Sequence, residues 1–237
     1  MEQTWKQARA AFAAISVPPL AWLLLFFLIP LGVIWAYTFG ENTGPTTIDF
    51  TGTFANYARA LKPRYLGIFV KSVVVAALTT LLCLIVGFPV ALAIAFASPK
   101  AKAWLLLLIM LPFWTNLLIR TFALIAVLRE QGYVNFALEW LWNNASGFMT
   151  LIGLQPLGEF EPLTLLYNNF AVVVGLVYVH LPFMVLPLYS ALDRMDRSLM
   201  EASLDLGAGH LKTIFLVVVP LAAPGIASGI LITFIPA

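Results

Sequence analysis

Five apolar runs constrain this chain more than anything else in it. Pro18–Phe39, Ser72–Phe96, Ala103–Leu128, Phe170–Leu192 and Ile214–Ala237 are each almost free of charge. A helix needs roughly 20 apolar residues to cross the hydrocarbon of a bilayer. In lipid every backbone polar group must be bonded internally, so such runs fold as helices. The chain is 62% hydrophobic and 10% charged over 237 residues, which excludes a soluble globular class and leaves room for five spans in one domain, 1–237. The expectation is an all-α, polytopic membrane helix bundle. The first run is too long for a signal-peptide core, and no small-x-small cleavage site follows it.

The composition also removes several functions. A net charge of +2 is too small to imply a nucleic-acid partner. The single cysteine, Cys83, lies in an apolar run, so no disulfide framework exists. His180 and His210 are isolated and suggest no metal site. GAGHLKT lacks the Gly-Lys adjacency of a phosphate-binding loop, and neither Gly-x-Ser-x-Gly nor HExxH occurs. No catalytic residue, metal or cofactor is expected. A membrane enzyme would need clustered acids, His or Cys inside its spans. A membrane anchor or assembly factor without a pathway of its own stays open at this point.

Between the spans the chain is polar. The tail Met1–Val17 reads as a short amphipathic helix. Gly40–Gly67 reads as a polar loop, irregular at ENTGPTTIDFTGT and with a surface helix at Phe54–Leu61. SPKAKA is a tight basic turn. Arg129–Asn169 is an acidic loop, within which Tyr133–Trp142 has the content of an interfacial helix. Prolines fall in all five spans, and each removes a helical hydrogen bond and is expected to kink its helix. Gly225 and Gly229 form a GxxxG pair, the signature of a close helix contact inside the subunit or with a partner.

The third run is unusual in holding Pro112, Trp114, Thr115, Asn116 and Arg120. A charge in a span is costly and marks function. Arg120 is also close enough to Leu128 to reach the interface by extending its side chain. Trp114 and Asn116 suit a cavity wall, because Asn needs a partner in hydrocarbon. No acid lies inside the spans, so a cation crossing them would rely on aromatic faces, for which Trp114 and Tyr178 are the candidates. The pathway set is therefore Trp114, Asn116, Arg120 and Tyr178.

Residues 193–213 form the one helix-patterned, largely polar stretch between two apolar runs. Leu199, Ala202, Ser203 and Leu206 share a helical face at i, i+3, i+4 and i+7, with Arg197, Glu201 and Asp205 on the other. Asp196 is placed as the N-cap, and Gly207 is placed to end the helix in a left-handed turn. A second short helix is expected from His210. Such a helix–glycine–helix elbow beside a membrane is a docking surface for a partner, or else an ordinary amphipathic interfacial helix.

EASLDLGAGHLKTIFLVVVP, Glu201–Pro220, resembles the EAA loop of ABC importer permeases. Glu201, Ala202, Gly207 and Pro220 match with the spacing intact. Ser203 replaces the second Ala of that pattern, and Val217 and Val219 replace its Ile and Leu. The runs Leu111–Ile125, Leu166–Asp196 and Pro224–Ala237 look like the spermidine/putrescine permease subfamily. The resemblance implies a type I importer permease fold in the inner (plasma) membrane, crossed several times. It implies a cytoplasmic coupling loop carried by Glu201, Ala202, Ser203, Gly207 and Pro220. It implies, as partners, two copies of an ATP-binding subunit that hydrolyses ATP, a second permease and a periplasmic or lipoprotein substrate-binding protein. The substrate would be a small cation, and relatives carrying other small solutes share much of the pattern. It also implies a sixth span after Ala237, which this chain lacks. Charge alone favours a cytoplasmic N-terminus only weakly, with seven bases inside against six outside. The cytoplasmic elbow agrees with that orientation.

Overall fold

The computed structural model describes residues 9–44, 48–155 and 157–237. Most of the basic tail, with Lys6, lies outside the described residues, as do 45–47 in the first polar loop. The chain divides into two compact units, Met1–Lys71 and Ser72–Ala237.

In the first unit, α1 (Arg9–Leu23) and α2 (Ile29–Tyr37) run on from each other through a π turn at Leu24–Leu28. The helix thus begins well before Pro18, and Pro18 and Pro19 sit inside it. The π turn has a local cause. Pro30 has no N–H to offer the carbonyl four residues back, and its ring crowds that carbonyl. The chain widens by one residue, so the Ile29 N–H reaches Leu24 rather than Leu25. Beyond α2, β1 (Glu41–Asn42) and β2 (Ile48–Asp49) pair antiparallel, and α3 (Ala55–Ala60) follows. Asn56 ties this loop back, its Nδ2 donating to the carbonyls of Thr38 at 3.1 Å and Gly40 at 2.8 Å. Phe39 stacks among Trp35, Phe54 and Tyr57. Gly40 is required here, since a Cβ would stand 2.5 Å from Ile48 Cγ2.

The helix α4 (Pro63–Phe96) runs 34 residues without a break. It starts inside what the sequence reads as polar loop, because Pro63 at a helix start needs no N–H partner. Pro89 lies within it, as Pro182 and Pro187 lie within the unbroken α8 (Asn169–Asp193). Pro18, Pro19 and Pro112 likewise lie inside continuous helix, so a break in the helix does not follow from a proline alone. Ser98 caps α5 (Pro99–Trp114), whose Pro99 is the first helical residue, so the basic stretch SPKAKA is mostly helix and the turn is confined to Ala97–Ser98.

The third apolar run is not one helix. It breaks at Thr115–Asn116, where α6 (Leu117–Leu128) opens a stretch to Leu151 that departs from α5 at 98°. The helix expected after it, α7 (Tyr133–Leu151), is about twice as long as the stretch Tyr133–Trp142 read from the sequence. Asn135 is buried and clamps the following loop, donating to the Leu163 carbonyl and accepting from its N–H, both at 2.9 Å. After α8 come α9 (Ser198–Asp205), α10 (His210–Thr213), a π turn at Ile214–Val218, α11 (Val219–Leu221) and α12 (Ala223–Phe234). The fifth run also bends, by 70° at Ala222. Among the described residues three helices are long and apolar enough to cross a membrane, or up to five if each bent pair is one span.

The core of the second unit lies where α4, α8 and α12 meet. Met184 is fully buried there. A Cβ on Gly87 would meet its Cγ at 3.1 Å, and one on Gly229 its Sδ at 2.7 Å. Gly225 lies equally close to α8, where a Cβ would stand 2.5 Å from Ala191 Cβ and 2.8 Å from the Pro187 carbonyl. The GxxxG pair thus makes a contact within the subunit.

Candidate functional site

The elbow is built by local rules. Asp196 Oδ1 accepts the Ser198 N–H at 3.0 Å, so Asp196 does cap the helix by its side chain, although Arg197 is the last residue before it. That hydrogen bond holds the Asp196 carboxyl below the usual carboxylate range. A depressed folded pKa means the cap is at full strength above the ordinary Asp pKa and is lost as pH falls through the folded value. At the other end Gly207 stands at φ +83°. Its N–H bonds the Leu204 carbonyl at 2.9 Å, and the Ala208 N–H bonds that of Ser203 at 3.1 Å. This pair of bonds is the Schellman closure, and it fixes the angle at which the chain leaves α9.

The second limb is locked to the first. Ser203 Oγ and Thr213 Oγ1 lie 3.0 Å apart, and Thr213 is buried. Three residues of the motif therefore have distinct places. Ser203 faces inward to α10, Gly207 makes the turn, and Pro220 follows the second π turn, where the Val219 N–H reaches Ile214. The same device precedes Pro30 and Pro220. Glu201 and Ala202 are exposed, and the elbow also presents Leu206 at 89% and Leu211 at 74% exposure.

Two contacts that the sequence does not reveal tie the elbow to the spans. Arg197, read from the sequence as part of the outer face, turns back instead. Its Nη2 donates to the Ala95 carbonyl at 3.2 Å, and its guanidinium lies 5.1 Å from the Phe96 ring centroid. Ala95 is in the last turn of α4, whose carbonyls have no helical partner, so Arg197 caps the end of that helix. Lys102 of α5 pairs with Asp193 of α8 at 2.5 Å and lies 5.7 Å from the Tyr189 ring centroid. The signal for Lys102 was its place in the basic turn; for Arg197 the partner is 102 residues away and no local pattern marks it.

The pathway candidates separate. Asn116 caps α6, its Oδ1 accepting the Leu118 N–H at 2.8 Å. Trp114 is 74% exposed at the end of α5. Arg120 and Tyr178 come together, with the guanidinium 5.9 Å from the ring centroid. Arg120 turns back toward the end of α5. Its Nη2 donates to the Pro112 carbonyl at 2.6 Å and the Thr115 carbonyl at 3.2 Å, bridging the break between α5 and α6.

The long apolar helices, two of them bent, and the helix–glycine–helix elbow tied to their ends define a polytopic helical membrane protein. The comparisons place it further. Residues 83–237 match the family model of the binding-protein-dependent transport system inner membrane component. The spermidine/putrescine transport system permease protein PotB of Salmonella typhimurium is 36% identical over 224 residues, covering 94% of this chain and 72% of that protein. The protein of the same name from Escherichia coli is 37% identical over 217 residues, covering 91% and 73%. A chain from the crystal structure of a bacterial ABC transporter that imports the polysaccharide alginate superposes with a TM-score of 0.64 at 17% identity, over 95% of this chain and 73% of that one. The chain belongs to the binding-protein-dependent inner-membrane permeases, and it is an ABC importer permease subunit with the all-α type I fold.

Proposed function

We propose that this permease forms part of the translocation pathway for a polyamine or a closely similar small organic cation. The relatives named above support the substrate class, and the lack of any acid within the spans sets its chemistry. Such a cation would be met by aromatic faces and carbonyl oxygens rather than by buried carboxylates. Arg120 and Tyr178 line this route, Trp114 stands at its edge, and Asn116 holds the helix end beside it.

The elbow docks on an ATP-binding subunit, of which two copies serve this chain and a second permease. ATP hydrolysis belongs to that subunit. The observation that carries this reading is the Schellman closure at Gly207, which sets Glu201, Ala202, Leu206 and Leu211 out as one exposed knob. Leu206 and Leu211 supply apolar contact and Glu201 a polar one. The N-terminus and the elbow lie in the cytoplasm, and the loop between α7 and α8 meets a substrate-binding protein outside.

Co-purification with the ATP-binding subunit, followed by ATP hydrolysis in liposomes with and without loaded binding protein, tests the reading. Stimulation by spermidine or putrescine is the expected result. No association with an ATP-binding subunit would leave only a membrane anchor. Stimulation by an anion alone would sink the cation assignment.

A further inference from the structure

The break between α5 and α6 leaves carbonyls that no helix satisfies. α5 ends at Trp114, so the carbonyls of its last turn carry the negative end of its dipole. The Pro112 carbonyl accepts three donors: Thr115 Oγ1 at 2.7 Å, Thr115 N at 3.4 Å and Arg120 Nη2 at 2.6 Å. The Thr115 carbonyl accepts Arg120 Nη2 as well. Above the guanidinium lies the Tyr178 ring. Arg120 makes no ion pair with any carboxylate among the described residues, and its Nε is buried without a partner.

A cation held by backbone oxygens and an aromatic face, with no carboxylate, describes a binding site for a soft organic cation. Broken helices in membrane proteins bind cations in this way, through unwound carbonyls and half-helix ends. A guanidinium and a primary ammonium both satisfy such a seat, since each brings several N–H donors and a charge.

We propose that the seat formed by the Pro112 and Thr115 carbonyls and the Tyr178 ring is a site for a primary ammonium or guanidinium group, and that Arg120 fills it as a built-in stand-in. Resting on the organic-cation reading, it names where one cationic end of the solute is held. When Arg120 leaves the seat, the substrate's ammonium takes its place over Tyr178. When the substrate moves on, Arg120 returns and satisfies the break again. The site is thus never left bare in hydrocarbon, and Arg120 competes with cargo.

The test is chemical rescue in the assembled complex with its partner subunits. Arg120→Ala empties the seat, and Arg120→Gln keeps donors without the charge and serves if the Ala variant does not assemble. Millimolar methylguanidinium or propylammonium is expected to raise the melting temperature of either variant by about 3 °C. Wild type, whose seat is full, should not respond, and adding Tyr178→Leu to the variant should abolish the effect. An equal response to sodium, a response of wild type as large as that of the variants, or no response in either variant overturns the proposal. The probes carry a single charge and are not the transported solute, so this result stands apart from the outcome of the uptake assay.

Discussion

Arg197 reaches from the elbow to the Ala95 carbonyl at 3.2 Å and so joins the elbow to the end of α4, the longest helix among the described residues. This bond and the Phe96 contact are the links through which a shift of the elbow would reach α4. α4 packs in turn on Met184, through Gly87. Replacing Arg197 with Ala should cost roughly 1 kcal/mol of stability, the usual net value of one hydrogen bond. The larger effect should be on coupling. The ratio of solute taken up to ATP hydrolysed is expected to fall severalfold in Arg197→Ala and to recover in part in Arg197→Lys. A ratio unchanged in both variants would leave Arg197 as a surface residue with no part in transmission.

The elbow itself was legible in the sequence to within a residue or two, and the reason is physical. Its boundaries are set by short-range rules: an Asp that accepts an N–H two residues on, a glycine free to adopt positive φ, and a helix that restarts at His210. Arg197 was not legible in the same way. Its helical face predicts solvent, and only the three-dimensional return of α4 offers it a carbonyl. The third and fifth spans were expected to kink at their prolines, but the places of the two bends, Thr115–Asn116 and Ala222, were not legible, for a related reason. Hydropathy continues through Thr115–Asn116 and through Ala222, and it is blind to a bend. Pro112 and Pro89 look alike as letters, but α4 continues past Pro89. After Pro112, Asn116 stands ready to start a new helix.

Gly207 offers a test that separates conformation from contact. Nothing lies within 4 Å of where its Cβ would be, so a side chain there meets only the strain of positive φ. That strain is roughly 1–2 kcal/mol for an ordinary residue and less for Asn, which adopts the left-handed region more readily. Gly207→Val should therefore weaken association with the ATP-binding subunit about tenfold, and Gly207→Asn should stay near wild type. Equal loss in the two, measured by co-purification, would mean that the glycine is needed for close approach of the partner instead.

Gly225 and Gly229 should differ in the same measurable way. A methyl at Gly225 meets the Pro187 backbone carbonyl and Ala191 Cβ, which cannot yield without moving α8. A methyl at Gly229 meets first the sulfur of Met184, near the far end of a flexible side chain rather than backbone. Overpacking costs roughly 1–3 kcal/mol, and Gly225→Ala should fall at the upper end of that range and Gly229→Ala at the lower. Thermal unfolding of the complex in detergent gives the order, and a reversed order would contradict the packing of α12 on α8.

Orientation is tested by labelling. The only native cysteine, Cys83, is fully buried and should stay silent. A membrane-impermeant thiol reagent applied to intact cells should label Glu159→Cys, in the segment between α7 and α8. It should label Ala208→Cys, in the elbow, only after lysis. The opposite pattern would invert the topology and remove the elbow from the cytoplasm.

The central claim is that this chain couples ATP hydrolysis by a partner to the passage of an organic cation. It is tested most directly by uptake of radiolabelled spermidine into proteoliposomes holding this permease, its partner permease, the ATP-binding subunits and the binding protein. The account predicts saturable uptake that requires ATP, is competed by putrescine and is lost in Gly207→Val while the bundle still inserts. Uptake that proceeds equally without ATP, or that Gly207→Val leaves at the wild-type rate, would contradict it.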